Sequence, residues 1–214
     1  MIRIITIERE YGCGASEIAR KLADQLGWKL WDQHLTSEIA RAANCHLSAV
    51  EQREERRDPL YYRLLKSFTR GSYESSMKVD PMMLDPLHAL DSESIVRVTR
   101  RVVERAAGEG NCVIVGRGSQ HFLQERNDTL RFFLYAPSQE KIRRLVAQGT
   151  RQAEAEDQVD RVDRERAAFI KTYFNVEWPN RPVYHAMLNT ATGDDAVVRA
   201  IQSFMQAQPA NKAA

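Results

Sequence analysis

Cysteine is scarce: three residues in 214, Cys13, Cys45 and Cys112, an odd number set far apart. No CxxC pair and no nearby histidine set accompanies them, which argues against a disulfide framework and against a zinc site, and for reduced, structural thiols. Long apolar runs are absent too. None approaches the roughly 18 residues that cross a bilayer, and the opening MIRIITIEREYG lacks the layout of a secretory leader. The expectation is a soluble, cytoplasmic protein with no membrane partner. Charge of one sign is also lacking. A net charge of +2 gives little long-range pull on nucleic acid, so no nucleic-acid partner is expected. Lysine is rare, 7 against 24 arginines. Arginine forks bind phosphate oxygens in pairs, although arginines on solvated helix faces do nothing of the kind. Repeats, low-complexity tracts and linkers are missing as well, so residues 1–214 read as one domain.

What is present is alternation. A β-branched run at 2–7 ends in a glycine turn, after which Ile18, Ala19, Leu22, Ala23 and Leu26 recur at helical spacing until Gly27 closes the helix. Residues 28–31 read as a second strand and 35–43 as a short helix. Ser48 with Glu51 forms a capping box, 61–68 is helical, and the breakers across 70–86 suggest a mobile loop. A long helix capped by Asp91 or Ser92 follows, carrying Ile95, Val96, Val98, Val102, Val103 and Ala106. Runs at 112–115 and 130–135 resemble strands buried on both faces, and 184–188 resembles an edge strand. Helices are expected at 138–147, 153–172 and 195–206. Strands separated by helices imply an α/β fold with a five-stranded parallel sheet and helices on both faces. Such sheets bind ligands at the carboxyl ends of their strands.

The turn after the first strand stands where a phosphate loop belongs. Against the pattern G-x-x-x-x-G-K-[ST], the chain reads Arg9-Glu10-Tyr11-Gly12-Cys13-Gly14-Ala15-Ser16. The second glycine and the serine remain, whereas Arg9 replaces the first glycine and Ala15 the lysine. A plain strand-to-helix turn capped by Ser16 is the alternative. In either case a helix beginning near Ser16 presents unpaired N–H groups and a positive dipole end to an anion.

These residues resemble the P-loop nucleoside monophosphate kinases, and among them the cytidylate kinase-like family, whose degenerate loops read REYG-x-G. The resemblance spans about residues 2–205. Trp31-Asp32-Gln33-His34 matches the family's acidic turn beside the acceptor, and Val96-Arg97 its Val-Arg pair. Gly116-Arg117-Gly118 follows the third strand as the kinase Gly-Arg-Asp does, and Asp163-Arg164-Glu165-Arg166 resembles the Asp-Arg-x-Arg of a lid. The stretch KTYFNVEWPNRPVYHAMLNT, with Tyr184, His185 and Asn189, is the most family-specific.

The resemblance implies a P-loop kinase-like three-layer fold with a helical acceptor-binding insertion near 35–92 and a helical lid near 150–182. It implies ATP and magnesium as cofactors, with the phosphates on Gly12, Cys13, Gly14, Ala15 and Ser16 and the metal at the Ser16 hydroxyl. A small nucleotide acceptor, CMP-like by family, would meet Asp32, Arg97 and Arg117, while Arg117, Arg166, Asp163 and Arg9 serve the transfer. Bland alternatives stand beside each role. Asp32 is also a common turn residue, and Arg97 shares its helix with Arg100, Arg101 and Arg105. Arg161, Arg164 and Arg166 lie among acids at i to i+4 spacing. Glu8 and Glu10 either assist a hydrated metal or pair with Arg9, pairing being preferred for Glu10. His34 and His121 read as bystanders, and the 53–57 charge run as a solvated face. Without its lysine the chain is either a kinase, of nucleoside monophosphates or of another small metabolite, or a nucleotide-binding regulator or scaffold that has lost turnover.

Overall fold

The computed structural model describes residues 1–32, 34, 35, 37–39, 41, 42 and 92–207. The elements expected over 43–91, including the capping box, the 61–68 helix, the 70–86 loop and the 53–57 charge run, lie outside them, as does most of the proposed acceptor insertion.

Strand β1 (Ile4–Arg9) leads through the glycine turn into helix α1 (Ala15–Leu26), and β2 (Lys29–Trp31) follows. Beyond residue 91 come α2 (Ser92–Glu109), β3 (Cys112–Val115), α3 (Ser119–Phe122), β4 (Thr129–Tyr135), α4 (Ser138–Ala147) and α5 (Gln152–Phe174). Strand β5 (Ala186–Asn189) and α6 (Asp194–Ala207) complete the described chain. The five strands lie in the order β2-β3-β1-β4-β5, and every pairing is parallel.

Burial explains the order. Every residue of β1 and β3 is buried, so these apolar runs suit interior strands covered on both faces. The short β2 and the half-buried β5 take the edges. Successive side chains of β1 point to opposite faces. Ile4 joins Val98, Val103, Ile114, Phe169 and Ile170 on the α2 and α5 side, whereas Ile5 and Ile7 join Ile18, Leu22, Val115, Phe132, Val198 and Ile201 on the α1 and α6 side. The result is three layers.

Some boundaries moved. The edge strand starts at Ala186 because Tyr184 donates its N–H to the Arg181 carbonyl in a 3-10 turn and lays its ring 5.2 Å from that of Phe133. His185 extends the edge, donating its N–H to the Arg131 carbonyl and accepting the Arg131 N–H on Nδ1. Helix α1 starts at Ala15 with Gly14 as its cap, so the alternative of a turn capped by Ser16 does not hold. The Ser16 hydroxyl is engaged elsewhere.

The two described thiols are structural. Cys13 and Cys112 are fully buried and donate to the carbonyls of Leu134 and Ala106, and burial pushes the Cys112 thiol up to about 11. Because the thiolate is the nucleophile, maleimide at pH 8 is expected to leave both unmodified in the folded chain and to label both in denaturant. Mass spectrometry of the peptides reads the result, and rapid labelling of native Cys112 would contradict this packing.

Candidate functional site

Two glycines shape the loop at the carboxyl end of β1. Gly12 and Gly14 have φ of +75° and +78°, a region that L side chains avoid. Space demands glycine as well: a Cβ on Gly12 would sit 3.2 Å from both Cβ and O of Lys141, and one on Gly14 would collide with the Arg144 guanidinium. The loop backbone therefore lies directly against α4. The Gly14 carbonyl accepts the Ile18 N–H, which leaves the N–H groups of Ala15, Ser16 and Glu17 without a carbonyl one turn back. Loop residues 9–16 and Arg166 line a small, half-open depression.

The loop is gripped from behind. The Cys13 carbonyl accepts the Thr190 hydroxyl at 2.7 Å and Arg144 Nη1 at 3.0 Å, while Arg144 Nη2 donates to the Thr190 carbonyl. Asn189 earns its place in the family stretch here. Its side chain accepts the Ala191 N–H and shapes the turn that delivers Thr190. Glu140 orients Arg144 through a 2.9 Å bond from Nε, and Arg143 followed by Arg144 holds its carboxyl down at about 2 from an ordinary 4.5. A carboxyl depressed on folding stabilises the native state above its unfolded value, and that contribution fades as pH falls toward the folded value. The melting temperature should thus drop from pH 4.5 toward 2 with a component that Glu140→Gln removes. Parallel melting curves for the two proteins across that window would refute the assignment.

From the front, α5 lies over the start of the loop. The Tyr11 N–H donates to Asp163 Oδ1 at 2.7 Å and its hydroxyl to Gln158 at 2.8 Å. Its ring packs with Leu145, Ala155, Val159 and Val162. Arg166, 1% exposed, donates from Nη1 to the Arg9 carbonyl at 2.8 Å and lies 3.6 Å from Asp163 Oδ1. Burial pushes the Asp163 carboxyl up, opposed by the charges of Arg166 and Lys141.

Cations gather under this roof. Arg9 is 2% exposed, and its guanidinium occupies the space beside Gly116 where a Cβ would collide with Nη1. Among the described residues neither terminal nitrogen of Arg9 has a hydrogen-bond partner. Glu8, the nearby carboxylate, stands 3.9 Å off and is already engaged by the Arg9 N–H and by Gln120. Burial first, and the Arg9 charge second, pull Arg166 below the ordinary arginine range. Arg117 is buried too, in a left-handed conformation (φ +62°) between Gly116 and Gly118. The two like charges of Arg9 and Arg166, withdrawn from water together, favour an incoming anion.

The remaining candidates separate. Asp32, 5% exposed, accepts the Ser16 hydroxyl at 3.1 Å, so the second-strand turn meets the loop. Arg97 is exposed, and its hydrogen bond among the described residues goes to Ser94 of its own helix. Arg161 pairs with Asp157 and Glu165 along α5, the surface alternative. Glu10 pairs with Lys141 rather than with Arg9. His34 is exposed, and His121 stacks on Phe174. Among the described residues no group of three or more His, Cys, Asp or Glu side chains is placed to hold a metal, and no helix is long and apolar enough to cross a membrane. Lys141, Arg144 and Thr190 went unseen in the sequence. For the first two the signal was their i, i+3 spacing on the helix that leaves the carboxyl end of β4.

No curated protein matches the chain. Solved structures share its fold. An uncharacterized protein from Eubacterium ventriosum ATCC 27560 superposes with a TM-score of 0.67 at 17% identity, over 97% of this chain and all of that one. Shikimate kinase from Acinetobacter baumannii, in complex with shikimate, gives 0.52 at 13% identity, over 96% and 94% of the two chains. TT1252 from Thermus thermophilus gives 0.50 at 18% identity, over 97% and 99%. At such identities the likeness concerns the fold alone. The sequence match is of another kind: the cytidylate kinase-like family covers residues 4–192, from β1 and its loop through the Thr190–Thr192 turn, and the chain belongs to that family.

Proposed function

We propose that the protein binds ATP on the loop at residues 12–16 and transfers its terminal phosphoryl group to a nucleoside monophosphate, CMP-like by family resemblance. One observation carries the reading. Arg9 is buried beside a glycine-built helix N-terminus, and among the described residues its terminal nitrogens lack hydrogen bonds, the state of a cation that awaits an anionic ligand. Nucleotide phosphates fit the residues present, since the first N–H groups of α1, which follow the left-handed Gly14, have no intrahelical acceptor. Magnesium-bound ATP, when present, supplies the phosphoryl group and part of its countercharge.

The chain's own side chains would do the rest. Arg9 and Arg166 take over the charge that a lysine at position 15 supplies in the complete motif, with more donors each. The Ser16 hydroxyl, in contact with Asp32, would hold the metal. Arg117 and Arg97 would receive the acceptor phosphate. Asp163 orients Arg166, and α5 keeps water from the reacting oxygens.

The Ala15 substitution favours a second reading, a regulator that binds nucleotide without turnover. Steady-state ADP formation with a panel of monophosphates and with small hydroxyl acceptors separates the two. As an enzyme, the protein should turn over at least one acceptor, and Arg117→Ala should lower kcat/KM about a hundredfold, as expected for a lost transition-state donor worth about 3 kcal/mol. Thermal stabilisation by ATP with no turnover of any acceptor would select the regulator.

A further inference from the structure

Lys141 belongs to no motif in the chain, yet it stands where three elements meet. It projects from α4, and its Nζ lies 3.0 Å from Glu10 Oε2 of the loop and 3.1 Å from Asp163 Oδ2 of α5. Its side chain is 7% exposed, against 25% for Glu10 and 15% for Asp163. Burial works against the ammonium charge, but the two carboxylates outweigh it and hold the lysine above its ordinary value. An ion triplet this far out of water depends on its central cation, because removing one partner strands the charges left behind.

We propose that Lys141 is the positioning residue that fastens α5 over the phosphate loop and thereby sets how long nucleotide stays bound, an inference that rests on the loop being the nucleotide site. The two oxygens of Asp163 divide the work. Oδ2 receives Lys141, while Oδ1 receives the Tyr11 N–H at 2.7 Å and faces Arg166 Nη1 at 3.6 Å. Arg166 in turn holds the Arg9 carbonyl. A single carboxylate, fixed by the lysine, thus links the loop backbone to the roof arginine. Lys141 does not line the depression over the loop, so it acts on the ligand only through these neighbours. Without it, Glu10 loses its cation and Asp163 is left with Arg166 at 3.6 Å as its counter-charge. With Oδ2 no longer held, the Asp163 carboxylate is free to rotate toward water, which loosens the Tyr11 N–H bond and the contact with Arg166 together.

The test uses the full chain and two independent readouts. Hydrogen exchange of the peptide covering residues 10–16 reports the fastening with no ligand present, and the dissociation rate of magnesium-ATP reports its consequence. Lys141→Met should accelerate both by about tenfold, the scale of one coupled contact. Lys141→Arg, which keeps a donor for each carboxylate, should restore both toward wild type, a rescue that a merely space-filling role would not give. Asp163→Asn added to Lys141→Met should accelerate neither further. Unchanged loop exchange in Lys141→Met overturns the fastening, and faster exchange with an unaltered ATP off-rate overturns its functional half. If wild type does not hold ATP, the proposed function fails, while the exchange arm still decides the fastening. Should Lys141→Met lose its cooperative melt, Glu10→Gln takes its place, with an expected acceleration of about threefold and the same overturning results.

Discussion

Arg9→Met should weaken ATP binding about a hundredfold and at the same time raise the melting temperature. On the proposed function, the affinity loss follows from removing a desolvated cation that would contact phosphate oxygens, a change of about 3 kcal/mol. The stability gain has a separate origin in the ligand-free protein. There the guanidinium is buried beside Arg166, whose own charge it disfavours, and its terminal nitrogens have no hydrogen bonds among the described residues. Each unsatisfied buried donor costs about 1–3 kcal/mol. Methionine fills similar space without that penalty, and Glu8 keeps its bonds from the Arg9 N–H and from Gln120. A gain of about 1–2 kcal/mol corresponds to roughly 2–8 °C in a chain of this length. Calorimetric titration with magnesium-ATP and a thermal melt on one preparation read both signs. A variant that binds ATP as wild type does, or that melts well below it, contradicts the role assigned to Arg9.

Gly116→Ala should reproduce the binding defect without changing any charge. Gly116 has a φ of +70°, where alanine is strained by about 1 kcal/mol. Its new methyl would also strike Nη1 of Arg9. The end of a long side chain yields more readily than backbone does, so Arg9 is displaced from its place between the ends of β1 and β3. Stability should fall by about 1–2 kcal/mol, and ATP affinity should drop nearly as far as in Arg9→Met. The double variant should bind no more weakly than Arg9→Met alone, because both changes empty one position. Additive losses in that cycle would show that Gly116 and Arg9 act on the ligand separately.

The sheet, the loop and most helices were legible because each carries a local period. Strands β1, β3 and β4 are short apolar runs, and Gly27 marks an end that the structure keeps. Register with neighbours far along the chain was not legible. The grip on Cys13 comes from Arg144 and Thr190, 131 and 177 residues away, and no local pattern points across such a gap.

Arginines were the other difficulty, since Arg97, Arg161 and Arg164 read in sequence much as Arg166 does. A period does separate them. Val159, Val162, Arg166, Phe169 and Ile170 share the buried stripe of α5, the i, i+3, i+4, i+7 pattern of a face turned inward. Arg161 and Arg164 fall off that stripe and lie toward solvent. An arginine in an otherwise apolar stripe is thus the sequence mark of an inward charge. Arg117 carries a weaker mark, its flanking glycines, which accompany three successive residues with positive φ.

The most direct measurement is a magnesium-ATP titration followed by amide chemical shifts. If the loop receives the phosphates, the largest shifts fall on Gly12, Cys13, Gly14, Ala15 and Ser16, and Arg9→Met erases them at the same ATP concentration. Loop amides that stay unmoved while ATP perturbs another surface, or perturbs none, would contradict the reading of these residues as a phosphate receptor.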